Sequence, residues 1–285
     1  MTPRLAYSAN AYMRYDVLEA IRRIAEVGYR GIELMADAPH LWPAETTPQT
    51  IDAVRTALEQ RGLTISNINA FMMNRIGDPR QPYWHPSWLE PDRRYRQVRI
   101  DHTLAALALA RDLGSPHITT EPGGPKPDGM TWRSAFQLFV EMLKPVVERA
   151  EQLGVRLLVE PEPGLLIERC EQYLELADRI ASPALGLNFD VGHAYCVKEY
   201  PAVWIPRLRE HTVHYHLEDI AATRVHEHLV PGRGAIDFPA VLAAIGQAYF
   251  DGGGWATVEL YPYVDDPDGA GRSALAFLHD AAAAL

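Results

Sequence analysis

The chain has only two cysteines, Cys170 and Cys196, in 285 residues. Two thiols cannot make a disulfide framework, and a reducing, cytoplasmic location is expected. No run approaches the ~20 apolar residues of a membrane-spanning helix. The start, Met1 to Ser8, lacks the long apolar stretch of a secretory signal. Basic residues are in deficit: 27 Lys and Arg stand against 37 Asp and Glu, a formal net charge of −10. Like charge repels, so non-specific attraction to nucleic acid or anionic lipid is not expected. The segment Ser8-Ala9-Asn10-Ala11-Tyr12 follows the first apolar run and is not glycine-rich, as the first turn of a dinucleotide-binding sheet would be. Linkers, low-complexity tracts and strong internal repeats are also missing, so one domain over 1–285 is expected.

What the chain does have is alternation. Short apolar runs occur at 4–8, 31–35, 63–70, 116–120, 155–160, 185–190, 211–217 and 255–260. Helical patterns lie between them, at 15–27, 93–113, 133–153, 168–181, 237–248 and 270–284, with apolar residues at three- and four-residue spacing. Gly28, Gly62, Gly114 and Gly154 each stand where a helix would close before the next strand. Eight strands alternating with helices imply parallel strands and crossover helices, and the expected fold is an α/β protein, a (β/α)₈ TIM barrel. Two connections are long. Residues 71–92 are aromatic and proline-rich, and residues 218–236 carry His226, His228 and the Gly232/Gly234 turn. Long loops in compact domains are often lids or interaction surfaces.

Six of the eleven histidines fall between residues 193 and 228. They occur in Asp190-Val-Gly-His193, His211-Thr-Val-His214-Tyr-His216 and His226-Glu-His228. Carboxylates close two further apolar runs, at Glu160 and Glu259. In barrels of this kind the active site is built at the C-terminal strand ends. Glu160, Asp190, His216 and Glu259 would each bring one ligand there from four consecutive strands. Two Glu, one Asp and one His make an oxygen-rich site. It suits one divalent cation, Mn²⁺ first, with Mg²⁺, Co²⁺ or Zn²⁺ as alternatives.

The chain resembles the xylose isomerase-like TIM barrel superfamily of sugar phosphate isomerases, epimerases and endonuclease IV. The resemblance rests on Gly31-Ile-Glu33-Leu, Val159-Glu160-Pro161, Asp190-Val-Gly-His193, His214-Tyr-His216-Leu-Glu-Asp219, Pro231-Gly-Arg-Gly234-Ala-Ile-Asp237-Phe and Val258-Glu259. It extends from the second strand to the eighth. Likeness to the ketose 3-epimerase branch implies that Glu160, Asp190, His216 and Glu259 bind one metal. It also implies that Glu160 and Glu259 are the catalytic acid and base. A metal on the carbonyl stabilises enediolate charge, and a base on one face with an acid on the other inverts a carbon. Endonuclease IV needs further histidines at earlier strand ends. Asn69 and Glu121 stand near those positions instead, which argues against a nuclease.

Substrate contacts are expected from His193, His228, Glu162, Glu33, Asn69 and Trp84. For several the alternatives stay open. His193 either touches substrate or orients a ligand; His214 either serves the site or fills the barrel; His211 is structural. Glu162 either bonds a substrate hydroxyl or shapes a rigid turn. Glu33 either reaches substrate or sits in an internal salt bridge, and Glu121 could line the pocket beside Asn69. Phe71, Tyr83, Trp84 and Trp88 either stack on a sugar or pack the loop and an interface. Arg224 and Arg233 could bind phosphate. The function expected is a metal-dependent isomerase or epimerase of a keto-sugar, related polyol or cyclitol. A keto-cyclitol dehydratase on the same scaffold is the alternative, ahead of a nuclease or a non-catalytic binding protein. The partner is a small sugar or cyclitol, and a homodimer or higher homo-oligomer is left open.

Overall fold

A computed structural model describes residues 3–80, 83–248 and 254–285. Gln81 and Pro82, within the 71–92 connection, lie outside the described residues. The strands are β1 (Arg4–Ser8), β2 (Gly31–Met35), β3 (Thr64–Asn69), β4 (His117–Thr120), β5 (Arg156–Val159), β6 (Leu185–Asp190), β7 (Thr212–Leu217) and β8 (Trp255–Val258). They form a closed barrel in chain order. Every pairing is parallel, and β8 returns to β1 with Arg4 opposite Trp255 and Ala6 opposite Thr257. This is the expected (β/α)₈ barrel.

The helices are α1 (Val17–Val27), α2 (Pro48–Arg61), α3 (Arg93–Leu113), α4 (Trp132–Leu153), α5 (Cys170–Ile180), α6 (Val191–Cys196), α7 (Pro201–Arg207), α8 (Phe238–Ala248) and α9 (Pro267–Ala283). Asp16, Thr47, Asp92 and Thr131 cap α1 to α4 by accepting backbone N–H bonds in the first turn. Gly28, Gly62, Gly114 and Gly154 follow the same four helices in the left-handed region, as the spacing requires. Two helices in the β6–β7 connection, α6 and α7, escape the sequence pattern because six and seven residues are too short to show a period. Helix α9 starts three residues before its apolar pattern. Asp266 caps it and Pro267 occupies the first turn, where a missing N–H costs nothing. No helix among the described residues is long and apolar enough to cross a membrane.

The apolar core lies between barrel and helices, where Ile21, Ile24, Phe136, Phe139 and Leu143 are buried. Burying each such side chain contributes about 1.5–3 kcal/mol. The barrel interior is different: it is polar. Ser66 on β3 pairs across it with Thr257 on β8 at 3.0 Å. His117 Nδ1 bonds Asn67 at 2.9 Å. His214 bonds Asn188 at 2.8 Å and Thr257 at 2.7 Å. Burial pushes His117 down to about 4 and His214 well below its ordinary value, so both are neutral fillers. His214 is therefore a barrel-layer residue beneath the rim.

Two loops are fixed by buried polar side chains. Arg99 on α3 donates to the carbonyls of Ala70, Phe71 and Pro86 and clamps the 71–92 connection at both ends. Asp219 accepts N–H bonds from Ile220, Gly232, Gly234 and Ile236, folding the 218–236 connection on itself. A Cβ on Gly234 would stand 2.3 Å from Asp219 Oδ1 and 2.4 Å from the Ile220 carbonyl, so this close approach requires glycine.

Candidate active site

Parallel strands β5, β6, β7 and β8 deliver Glu160, Asp190, His216 and Glu259 to the C-terminal rim. All four are buried, and one donor atom of each lies within 4.8 Å of the others. His216 Nδ1 is 2.8 Å from Glu160 Oε1, 3.5 Å from Glu259 Oε2 and 3.8 Å from Asp190 Oδ2. The second polar atom of each residue is held from outside. Glu160 Oε2 accepts from Asn188 at 2.9 Å, and Glu259 Oε1 accepts from Asn10 at 2.8 Å. Asp190 Oδ1 accepts the His193 backbone N–H at 2.6 Å. His216 Nε2 lies 2.9 Å from Glu33 Oε2.

Glu33 also accepts from Ser8 at 2.6 Å and Asn67 at 2.7 Å. Burial raises Glu33, but the charge and hydrogen bond of His216, with those two bonds, hold it below the usual carboxylate range. Burial alone would lower His216, yet Glu160, Glu259 and Glu33 outweigh it and hold the imidazole well above its ordinary value. Glu160 and Glu259 are both raised, by burial first, in spite of His216. Carboxylates thus outnumber the one imidazole that could offset them. A divalent cation would offset that imbalance, with His216 Nδ1 among the atoms that would hold it. Asp190 is also met by the buried Glu218 carboxyl, which burial and Asp190 itself hold well above the carboxylate range, so a further acid crowds this side of the four. Were a cation bound, Nε2–H would stay on Glu33 and Nδ1 would be free to serve it, the arrangement of a metal-bound histidine backed by a carboxylate. The donor set fits a divalent metal.

Above the four lies a cavity of about 240 Å³ lined by Asn10, Asn69, Glu160, Glu162, His193 and Glu259. Its remaining wall includes His226, His228, Phe71, Tyr83, Trp84 and Tyr261. A wider hollow of about 1080 Å³ opens at the opposite, N-terminal end of the barrel beside Thr64, Pro116, Thr212 and Trp255, with none of the rim carboxylates. The chemistry belongs to the smaller space.

His193 gives Nδ1 to the Pro161 carbonyl at 3.0 Å, and its Nε2 is 3.7 Å from Asp190 Oδ2. It stands at the pocket wall and against Asp190 at once. His228 gives Nδ1 to the Glu259 carbonyl at 3.1 Å and sits 3.1 Å, Nε2 to Nε2, from His226. Burial lowers His193 and His228 to about 3 and His226 to about 4, so all three are neutral. Burial and the nearby Glu160, Glu259 and Asp190 push Glu162 well above the carboxylate range. Asn69 and Trp84 line the pocket.

Glu33 does not line it. The side chain is fully buried beneath His216, a position from which it orients the ring. Glu121 is also displaced from the pocket wall, and accepts the Trp88 backbone N–H at 3.0 Å. Trp88 packs on Phe139 within the protein, so it fixes the loop. Arg224 bonds the Tyr195 carbonyl and covers the Tyr195 ring, away from the pocket. Arg233 is not a wall residue either. Sequence reasoning missed Asn10, Asn188, Met72 and Tyr261. The one signal for Asn188 was its place two residues before Asp190, on the same strand face.

The family model for xylose isomerase-like TIM barrels matches residues 21–281. The chain belongs to the xylose isomerase-like TIM barrel family. It is 23% identical over 272 residues to fructoselysine 3-epimerase of Shigella flexneri, covering 93% of this chain and 92% of that one. It is 21% identical over 262 residues to inosose dehydratase of Clostridium beijerinckii, covering 85% and 80%. Among solved structures of the same architecture, a D-tagatose 3-epimerase-like protein superposes with a TM-score of 0.78 at 21% identity, covering 98% and 99% of the two chains. An IOLI protein with a bound zinc atom superposes at 0.79 with 16% identity, covering 100% and 99%.

Proposed function

We propose that this xylose isomerase-like barrel is a metal-dependent epimerase or isomerase of an unphosphorylated keto-sugar, polyol or cyclitol. The observation that carries the reading is the convergence of Glu160, Asp190, His216 and Glu259, each with its second polar atom held by a neighbour. These four would hold one divalent ion, Mn²⁺ first. When bound, such an ion supplies Lewis-acid stabilisation of charge developing on a carbonyl oxygen.

The chain's own residues supply the rest. Glu160 and Glu259 enter the pocket from different strands, and Asn188 and Asn10 fix their angles. One carboxylate takes the proton from the carbon beside the carbonyl, and the other returns a proton on the opposite face. His193, His228, Glu162 and Asn69 position hydroxyls, and Trp84 covers the ring. A cavity of about 240 Å³ suits one sugar-sized ring; drug-sized sites run to roughly 300–1,000 Å³. No Arg or Lys is among the described residues lining it, which argues against a phosphorylated substrate.

The same proton abstraction followed by loss of a β-hydroxyl would make a dehydratase, and the likeness to inosose dehydratase supports that second reading. Product mass separates the two, because dehydration removes one water. The test of the shared step is Glu160→Gln, assayed by solvent-deuterium exchange at the α carbon with Mn²⁺ present. Exchange should fall by roughly 10²-fold or more. Undiminished exchange on a substrate the parent turns over would refute the acid/base role.

A further inference from the structure

Asn10 has one amide atom committed and one to spare. The residue lies in the short 3₁₀ turn Ala9–Tyr12 that follows β1. It lines the cavity and is 1% exposed. Its Nδ2 donates to Glu259 Oε1 at 2.8 Å. Its Oδ1 is buried and has no hydrogen-bond partner among the described residues. No other described residue of this cavity wall carries such an atom. Buried acceptors are nearly always paired, so an orphan in a cavity wall marks a place where a donor is received.

Turning the amide over would not relieve it. That flip would exchange the Nδ2 donor for a second acceptor against Glu259 and lose the bond that fixes this carboxylate. The turn is also held in place. Ser8 Oγ accepts the Asn10 backbone N–H at 3.3 Å and donates to Glu33, the residue beneath His216, at 2.6 Å. The Tyr12 carbonyl at the end of the turn meets His40 Nε2 at 3.2 Å. Asn10 is therefore set by the network that sets the rim, and little freedom is left to lose when Oδ1 takes up a donor. A sugar or cyclitol hydroxyl can donate to it. A ligand carbonyl, carboxylate or ionised phosphate can only accept, and leaves Oδ1 unfilled.

We propose that Asn10 Oδ1 accepts a hydrogen bond from one substrate hydroxyl on the Glu259 side of the pocket, and that the pocket rejects analogues lacking that hydroxyl. This rests on the reading of the site as a sugar-binding pocket and names a residue that selects substrate within it. Oδ1 and Nδ2 belong to one planar amide, so the bound hydroxyl and the Glu259 carboxyl are held side by side. Asn10 is a specificity residue in this account, and proton transfer stays with Glu160 and Glu259.

The experiment is calorimetric binding to the Mn²⁺-supplemented protein at pH 7. The probes are D-fructose and myo-inositol, each beside its monodeoxy forms with one hydroxyl removed at a time. In the parent, loss of one particular hydroxyl should weaken binding by roughly 10-fold or more, because it leaves a buried acceptor unpaired. Asn10→Ala should close that gap and leave the penalties at other positions in place. Asn10→Leu, which keeps more of the side-chain volume, should do the same. Far-ultraviolet circular dichroism and Mn²⁺ binding establish that each variant is folded. A gap that persists unchanged in a folded variant overturns the proposal. A uniform loss of affinity with the gap intact also overturns it, and would show Asn10 acting only through Glu259. A parent that penalises no position overturns it too, and would show water serving the acceptor. The outcome separates from the reading of the site: α-deuterium exchange with every gap unchanged sinks this inference alone, whereas a parent that binds neither sugar nor cyclitol sinks the sugar-pocket reading itself.

Discussion

Glu33 and His216 show how one buried side chain can set the chemistry of another. Glu33 Oε2 holds His216 Nε2 at 2.9 Å, which leaves Nδ1 as the donor facing Glu160, Asp190 and Glu259. Glu33→Gln keeps the shape but weakens that hold, and Mn²⁺ affinity measured by equilibrium dialysis should drop about 10–100-fold. Unchanged affinity would show that Glu33 does not orient the ring. The convergence of the four rim residues was legible in the sequence, because each closes an apolar run or falls near its end. Asn10 and Asn188 were not, since an amide at a strand end reads like an ordinary turn residue. Glu33 was legible as an inward residue of β2, but its depth depends on how neighbouring strands stagger. That stagger places it under His216 and not along the wall.

The 71–92 connection forms part of the pocket roof only because α3 and β4 hold it down. Arg99, 0% exposed, serves three backbone carbonyls there. Arg99→Met strands those acceptors, at about 1–3 kcal/mol for each one left unsatisfied. Limited proteolysis should then cut within this connection well before the parent is cut; equal resistance would contradict the clamp. Glu121 gives the same loop a pH dependence. Burial pushes its carboxyl up to about 7 despite the opposing charge of Arg99. A raised acid pKa contributes stability that is complete below the unfolded value near 4.5 and is lost as pH rises through about 7. Glu121→Gln should therefore match the parent's melting temperature near pH 4.5 and exceed it at pH 8. A difference that stays constant over that range would remove this account. The long apolar helices and their closing glycines were legible, whereas these clamps join residues far apart in sequence and leave no periodic trace. The motif at Asp219 and Gly232/Gly234 was visible, yet its work is to lock a loop, and Gly234→Ala should dislodge His228 by pushing on Asp219.

At the scale of the whole molecule, chain-order closure of eight parallel strands places four successive strand ends side by side, and alternation alone was enough to anticipate it. The polar barrel interior was not anticipated, because an apolar run hides the Asn, Thr and His that alternate into the lumen. That interior supports the rim from below, through Asn188 and Asn67, and makes the site an extension of the barrel itself. The central claim is that Glu160, Asp190, His216 and Glu259 hold one divalent cation on which the proton chemistry depends. The most direct measurement is an anomalous-difference map from a crystal soaked in Mn²⁺. The account predicts one strong peak among these four side chains in the parent and its loss in a His216→Ala crystal. No peak there, or an equal peak in His216→Ala, would contradict it.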